Sequence, residues 1–252
     1  MQSFLRYKYL SKKNRIRIYI DAPIEIGQQL ECDEKQSHYL LNVMRLVVGD
    51  DVYVFNGKNG EFCCKIEIAQ KKRCVLRVVS LFAQYEQSPD IWLLFAPIKK
   101  DCMDFVIEKS TELGVVKILP VITEYTINSN VKVERLQYQA IEASEQCRRQ
   151  DIPLVYEAKK LEQVLLNWDE NRKIIYLDES LKSASAKLQM VKCAQKAAIL
   201  VGPEGGFSEK ELEFLKSLDY TYGVTLGKRI LRAETAAIAA LSCWQALAGD
   251  WQ

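Results

Sequence analysis

The stretch AAILVGPEGGFSEKELEFLKSL, residues 197–218, passes from an apolar run through a glycine-rich turn into a segment of helical character. The run Ala197–Val201 predicts a buried strand, and Glu209–Leu218 predicts a helix. Ser208 is placed to cap that helix, and Glu211, three residues later, completes a capping box. A strand that leads through a short loop into a helix is the repeating unit of parallel α/β folds.

The same alternation extends over residues 90–252, which we predict to form one domain. Further strands are predicted at Ile91–Phe95, Val116–Val121, Lys173–Leu177 and Thr221–Leu226. Further helices are predicted at Asp101–Leu113, Val133–Gln150, Leu161–Trp168 and Arg232–Ala248. Strands that alternate with helices form a mostly parallel sheet with helices on both faces, so the fold class of this domain is α/β.

Residues 1–83 have a different pattern, in which short strands dominate. Runs rich in Val, Ile, Tyr and Phe predict strands at Arg17–Ile20, Asp51–Phe55, Glu61–Ile68 and Cys74–Val79. One helix is predicted at roughly Lys35–Arg45. Many short strands with one helix favour a small, compact β-barrel domain. The polar segment Gln84–Asp90 is the predicted linker to the α/β domain.

The composition, with 48% hydrophobic and 27% charged residues, is typical of a soluble globular protein. None of the eight cysteines forms a C-x-x-C pair, which argues against a zinc ribbon or a thioredoxin-type motif, and no metal is expected. No apolar stretch approaches the ~20 residues of a membrane span, and the first twenty residues lack the apolar region of a signal peptide. We therefore expect a cytoplasmic protein with reduced thiols.

The amino-terminal segment is strongly basic. Six cations precede the first acidic residue, Asp21, and aromatic residues are interleaved with them. The cations are Arg6, Lys8, Lys12, Lys13, Arg15 and Arg17. Such a segment suits a nucleic-acid backbone with exposed bases nearby, but a solvated arm explains the same pattern equally well.

The loop Gly202–Phe207 follows a buried strand, and ligands of parallel α/β sheets bind at the carboxyl ends of strands. Glycines allow the backbone to approach a ligand closely. The acidic Glu204 argues against a polyanion, and neither a G-x-G-x-x-G nor a Walker A sequence is present. The alternative is a tight connection in which glycine serves the backbone geometry alone.

The segment Leu226–Ala236 leaves the next strand and runs into an alanine-rich helix. It carries three cations within residues 228–232, and two apolar residues, Ile230 and Leu231, lie between the arginines. Apolar side chains in a polar loop favour contact with the apolar surface of a ligand, and an adenine ring provides such a surface. The alternative is a basic surface loop followed by an ordinary helix.

These motifs resemble those of the RsmE-type 16S ribosomal RNA uridine-N3 methyltransferases of the SPOUT superfamily. The resemblance covers nearly the whole chain and is most specific in Gly202–Phe207 followed by Leu226–Ala236. Three further blocks carry it, at His38–Arg45 with Gly49-Asp50, at Glu108–Val115 and at Glu142–Arg149.

The resemblance implies a PUA-like amino-terminal domain and a carboxyl-terminal domain tied in a deep trefoil knot. It implies that S-adenosylmethionine binds bent in the knot, that the protein is a homodimer with the active site near the interface, and that the product is N3-methyluridine in small-subunit ribosomal RNA. The positions that would bind the cofactor are Leu177, Asp178, Glu179, Val201, Gly202, Pro203, Glu204, Gly205, Leu226, Gly227, Ile230, Leu231, Thr235 and Ala236.

Methyl transfer to uridine N3 requires that the N3 proton leave, so the enzyme must stabilise a uridinate anion. Arg229 and Arg232 are the candidates to hold the developing charge on O2 or O4, because a guanidinium matches two acceptors and stays protonated. Glu234 is a candidate base or a group that orients an arginine. Its alternative role is a first-turn carboxylate that is favoured by the helix dipole.

The candidate RNA contacts are cations of both domains. They are Arg6, Lys8, Arg15, Arg17, Arg45, Lys99, Lys100, Lys109 and Arg149. The expected partner is small-subunit ribosomal RNA. Three alternatives stay open: methylation of another RNA site by the same fold, a non-catalytic ribosome-assembly protein, and a small-molecule enzyme that uses a nucleotide.

Overall fold

The computed structural model describes residues 15–181 and 196–251, which belong to two compact units. The first unit ends at Gln87 and the second begins at Ser88. Arg6 and Lys8, two of the candidate RNA contacts, lie outside the described residues. Among the helices of the described ranges, none is both long and apolar enough to cross a membrane.

The first unit contains a five-stranded mixed sheet with the strand order β1-β3-β4-β5-β2. The strands are β1 (Arg17–Tyr19), β2 (Gln29–Glu31), β3 (Asp51–Phe55), β4 (Glu61–Gln70) and β5 (Arg73–Ala83). β1 and β3 pair in parallel, and the other pairs are antiparallel. The sequence did not predict β2, because its three residues contain one apolar side chain, Leu30, and are too few for an alternating pattern to be recognised.

The helix predicted at Lys35–Arg45 is shorter and divided. Helix α1 (Glu34–His38) begins with a capping box between Asp33 and Gln36. A π-helical turn, Tyr39–Val43, continues it. The turn ends where Arg45 adopts a positive φ of 56°, a conformation that a helix cannot continue.

The second unit contains a parallel sheet in the order β12-β10-β11-β6-β7-β8, with β9 beside the far end of β7. Its strands are β6 (Ile91–Phe95), β7 (Lys117–Ile122), β8 (Leu154–Val155), β9 (Lys159–Lys160), β10 (Lys173–Leu177), β11 (Ala197–Val201) and β12 (Thr221–Val224). Each strand pair described for this sheet is parallel. The predicted parallel α/β class is therefore confirmed, and the knot that the resemblance implies stays a prediction.

The helices of the second unit follow the predicted alternation. They are α2 (Lys100–Glu112), α3 (Val133–Cys147), α4 (Leu161–Leu165), α5 (Glu209–Ser217) and α6 (Ala233–Ala248). One hydrophobic cluster joins α2, α3 and α6 to the sheet, and another packs α4 and α5 against it. Two large clusters that share the strands show that helices cover both faces of the sheet.

Candidate active site

Three loops of the second unit meet at one edge of the sheet. They follow β10, β11 and β12, which lie side by side in the order β12-β10-β11. Because these strands are parallel, their carboxyl ends lie at the same edge. The loops are residues 177–179, residues 202–207 (the glycine loop) and residues 226–232 (the basic segment).

The three loops border a cleft formed by two adjoining cavities of about 220 and 60 Å³. The glycine loop and the start of α6 line the larger cavity, and the end of β12 with the basic segment lines the smaller one. Five residues line both cavities: Leu177, Glu179, Ile230, Leu231 and Ala236. The cleft is therefore continuous, and the two segments singled out in the sequence form its opposite walls.

The glycine loop is held by its own hydrogen bonds. The amide of Gly206, at φ 71°, donates to the Pro203 carbonyl over 2.9 Å. The predicted capping box of α5 is confirmed, since the Ser208 amide donates to Glu211 Oε2 over 2.9 Å and the Glu211 amide donates to Ser208 Oγ. Glu211 also binds a neighbouring loop, because its Oε1 accepts a 2.8 Å hydrogen bond from the Glu124 amide. The hydrogen bonds that hold this wall of the cleft are therefore made within the protein and need no ligand.

The basic segment has fewer hydrogen bonds within the described ranges than the glycine loop. Thr225 Oγ1 donates to the Gly227 carbonyl over 3.3 Å. Residues 228–231 form no hydrogen bond with any residue of the described ranges. The Ile230 side chain is 85% exposed, which is unfavourable for an aliphatic group. This wall therefore offers apolar surface, together with backbone groups that form no hydrogen bond within the described ranges, to a ligand.

The first turn of α6 faces the same cleft. Arg232 occupies the N-cap position without a side-chain capping bond, unlike Ser208 of α5. The first amides of a helix lack partners within the helix, and here no capping side chain supplies one. Ala233 and Ala236 line the larger cavity, where their small side chains let a ligand approach the helix closely.

The carboxylates around the cleft decide which ligands fit. Glu179 and Glu204 line the larger cavity, and Asp178 with Glu179 lines the smaller one. The Asp178 carboxylate accepts hydrogen bonds at Oδ1 from the amide and the hydroxyl of Ser180. Negative charge beside the glycine loop disfavours a polyphosphate, whereas it suits a ligand that is neutral or cationic. An adenosyl group with a sulfonium centre fits these walls.

Cys102, in the first turn of α2, belongs to the same charged neighbourhood. Partial burial raises the pKa of its thiol, and the charge of Glu234 and a hydrogen bond to Glu234 raise it further, against the opposing effect of Arg232. The α2 start, Arg232 and Glu234 therefore lie together. Cys102 was not predicted from the sequence; the signal for it is that α2 begins on the carboxyl side of β6.

Most of the predicted cofactor positions line the cleft. Gly205, Gly227 and Thr235 lie in the bordering segments without lining either cavity. Arg229 lines the smaller cavity and Arg232 the larger one, so both candidate arginines face the cleft. Lining residues that were not among the predicted site positions are Gly206, Phe207 and Ala233, which lie within the two segments singled out in the sequence, and Val224 and Thr225, which lie outside them.

Two of the candidate RNA contacts are buried, which corrects their assignment. Arg17 is 4% exposed, donates to Glu61 over 3.0 Å and stacks on Phe55. The Arg149 side chain is 8% exposed; it binds Asp151 through two nitrogens and donates to two backbone carbonyls. Both guanidiniums hold the folds of their units together, so neither is available to a phosphate.

The other described candidates differ in their exposure and in the side-chain contacts that they make. Arg45, Lys99 and Lys100 are exposed. Arg15 is partly exposed and lies over the rings of Tyr53 and Phe82. Lys109 binds Glu108 and Glu112, whose hydrogen bonds raise its pKa.

Comparison with protein families gives two matches that together span most of the chain. Residues 86–245 match a family described as an RNA methyltransferase domain, and residues 33–79 match an RNA methyltransferase PUA domain.

Characterised relatives match along nearly their whole lengths. The chain is 34% identical over 229 residues to the ribosomal RNA small subunit methyltransferase E of Rickettsia conorii, which covers 90% of this chain and 93% of that protein. It is 30% identical to the protein of the same name from Bacillus subtilis, with 87% and 90% covered.

Two solved structures have the same fold. Ribosomal RNA small subunit methyltransferase E of Neisseria gonorrhoeae, bound to S-adenosylmethionine, is 29% identical and superposes with a TM-score of 0.88, covering 95% of this chain and all 100% of that one. A methyltransferase of Legionella pneumophila in complex with the same cofactor is 33% identical, with a TM-score of 0.82 and 94% and 100% covered.

Proposed function

The chain belongs to the family of ribosomal RNA small subunit methyltransferase E proteins, and we propose that it transfers a methyl group from S-adenosylmethionine to N3 of a uridine in small-subunit (16S) ribosomal RNA. The observation that carries the proposal is the cleft itself. Its walls are a glycine loop without a phosphate-binding charge pattern and a basic segment that brings Arg229 and Arg232 to the same opening.

The cofactor would lie between these walls. Leu177, Ile230 and Leu231 provide apolar surface for the adenine ring, and backbone groups of the glycine loop and the α6 start provide hydrogen bonds. Glu179 and Glu204 supply negative potential for a cationic ligand. When bound, S-adenosylmethionine supplies an activated methyl group.

The chain's own residues would prepare the uridine. The N3 proton must leave before the nitrogen is a good nucleophile, and the charge then spreads onto O2 and O4. We assign Arg232 and Arg229 to those oxygens, because their guanidiniums stay protonated and donate in a planar fork. Glu234, in the first turn of α6, either accepts the N3 proton or orients Arg232.

The remaining parts of the proposal concern binding and assembly. Residues 1–83 would bind RNA as a PUA-like domain and residues 90–252 would carry catalysis. We retain Arg15, Arg45, Lys99 and Lys100 as RNA contacts, together with Arg6 and Lys8 and, with its two carboxylate partners, Lys109. The protein would act in the cytoplasm as a homodimer with the active site near the subunit interface, which sedimentation equilibrium at micromolar concentration tests directly.

Methyl transfer into RNA is the test of the reaction. Small-subunit ribosomal RNA from cells that lack this protein is incubated with the full chain and S-adenosylmethionine labelled with tritium in its methyl group. The RNA is then digested to nucleosides and separated. We expect the label in 3-methyluridine. Label in a 2′-O-methylated nucleoside would refute the N3 assignment, and no transfer to any RNA would refute the enzymatic activity.

A further inference from the structure

The loop that follows β7 forms a rigid turn at the same edge of the sheet as the cleft. The Thr123 amide donates to Thr126 Oγ1 over 2.9 Å, and the Thr126 amide donates to the Thr123 carbonyl over 3.1 Å. The two threonine hydroxyls also bind each other over 2.8 Å. These bonds fix the backbone of Thr123–Thr126 and, with it, the direction of Tyr125.

This turn is tied to the glycine loop. The Glu124 amide donates to Glu211 Oε1, and Oε2 of the same carboxylate accepts from the Ser208 amide at the end of the glycine loop. One carboxylate therefore holds two loops that leave different strands. The tie places Tyr125 beside the wall of the cleft without any contribution from a ligand.

Tyr125 packs directly on Gly205. A Cβ atom at position 205 would lie 3.3 Å from Tyr125 Cβ and 3.7 Å from Cγ and Cδ2 of the ring, so a side chain there would press against the tyrosine. Tyr125 is nevertheless 48% exposed, so a large part of its surface stays open to a ligand. Pro203, Glu204 and Gly206, the neighbours of Gly205 in the loop, line the larger cavity.

We propose that Tyr125 is a positioning residue for RNA, on whose exposed ring the target base or its immediate neighbour stacks next to the cofactor cleft. The inference rests on the proposed function, because it takes the ligand of this edge to be RNA. Tyr125 packs on the glycine loop, and Arg232 lines the cavity that this loop borders, so a base stacked on Tyr125 would lie close to the candidate catalytic arginine.

The chemistry of the residue favours a base over other ligands. An aromatic ring held in one orientation loses little conformational entropy when a base stacks on it, and every base has a π-face. Bases that undergo chemistry in RNA must leave their own stack, and aromatic side chains replace the stacking that is lost. Ile127, 94% exposed two residues further on, extends the apolar surface of the same loop.

The test separates stacking from support of the glycine loop. Tyr125→Phe keeps the ring, whereas Tyr125→Leu keeps the apolar bulk against Gly205 without a π-face. Tyr156→Leu is the matched control, since Tyr156 is an exposed tyrosine that follows β8 and lies near Lys117. For each full-length variant we would measure KM for small-subunit ribosomal RNA and, by calorimetry, the dissociation constant of S-adenosylmethionine.

We expect Tyr125→Leu to raise KM for RNA about ten-fold, in line with the loss of one stacked base, while the dissociation constant of the cofactor changes less than two-fold. Tyr125→Phe and Tyr156→Leu should stay within two-fold of the wild type in both constants. The proposal is overturned if Tyr125→Leu behaves like Tyr125→Phe, or if it weakens cofactor binding by the same factor as RNA.

A second measurement keeps this inference independent of the reaction. Small-subunit ribosomal RNA transcribed with 5-bromouridine is irradiated with the wild-type chain, and the cross-linked peptides are identified by mass spectrometry. A cross-link at Tyr125 supports the stacking even if no methyl group is transferred. Cross-links confined to other peptides contradict it, even if methyl transfer to N3 is confirmed.

Discussion

The two walls of the cleft leave strands β11 and β12 on either side of β10, at the same edge of the sheet, yet they are held very differently. The glycine loop is fixed by the Pro203–Gly206 turn, by the capping box of α5 and by the tie from Glu211 to Glu124. In the basic segment, residues 228–231 make no hydrogen bond to other residues of the described part of the chain, and Ile230 lies in solvent. One wall is held by hydrogen bonds within the protein, and in the other the described ranges supply few of them.

This difference indicates a division of labour. A preorganised loop binds a ligand without an entropic cost of ordering, so the glycine loop is suited to define where the cofactor lies. Within the described ranges residues 228–231 form no hydrogen bond, so a bound ligand would add hydrogen bonds and apolar contacts to the basic segment. It is therefore suited to close over the cofactor and to present Arg229 and Arg232 to the uridine.

The largest expected effect is on the rate of methyl transfer. Arg232→Ala should lower kcat about 100- to 1,000-fold, the usual loss when one donor to a developing anion is removed. The dissociation constant of S-adenosylmethionine should change little, because Arg232 is assigned to the uridine. Single-turnover transfer and calorimetry measure the two quantities. Arg232→Lys keeps the positive charge but removes the planar pair of guanidinium donors. A wild-type rate of methyl transfer in that variant would show that charge alone suffices.

Cofactor affinity should respond to the exposed apolar side chain of the basic segment. Ile230→Ser should raise the dissociation constant of S-adenosylmethionine about ten-fold. We expect the Ile230 side chain to be buried only in the complex, and burial of an aliphatic side chain contributes ~1.5–3 kcal/mol, part of which serine would not supply. Thermal unfolding without ligand should be unchanged, since the side chain is already in solvent. Leu166→Ser, at an exposed aliphatic residue outside the cleft, is the control, and equal affinities of the two variants for the cofactor would show that Ile230 does not contact it.

The smallest effect should come from the preorganised wall and should appear in stability. Glu211→Ala removes the capping box and the tie to Glu124, and should lower the free energy of unfolding by about 1–2 kcal/mol. Glu213→Ala, on the exposed side of the same helix, should cost less than about 0.5 kcal/mol. Urea unfolding compares them. Equal free energies of unfolding in the two variants would show that the Glu211 carboxylate does not hold the glycine loop.

The strands and helices that the sequence predicted best are those with long apolar patterns. Asp51–Phe55, Ile91–Phe95, Lys173–Leu177 and Ala197–Val201 have the predicted bounds, because each contains a run of apolar residues, most of them buried. Strands of two or three residues, β2, β8 and β9, carry too few positions for a pattern to appear. The helix predicted to reach Gln150 ends at Cys147, where Arg148 adopts a φ of 68°.

For the site, the sequence located the loops but not their neighbours. The glycine loop and the basic segment were visible because glycines and cations follow apolar strands directly. Tyr125 lies in the loop after β7 and Cys102 in the first turn of α2, which follows β6, and only the strand order brings these two places to the same edge. Arg17 was assigned to RNA from local charge, whereas its partner Glu61 lies 44 residues away and cannot be read from a window of sequence.

Hydrogen exchange with and without S-adenosylmethionine tests the contrast between the two walls most directly. The amides of residues 202–208 should be protected in the free protein and gain little when the cofactor binds. The amides of residues 226–232 should exchange rapidly in the free protein and gain at least about ten-fold protection in the complex. Equal protection of both segments in the free protein, or a gain confined to the glycine loop, would contradict the division of labour.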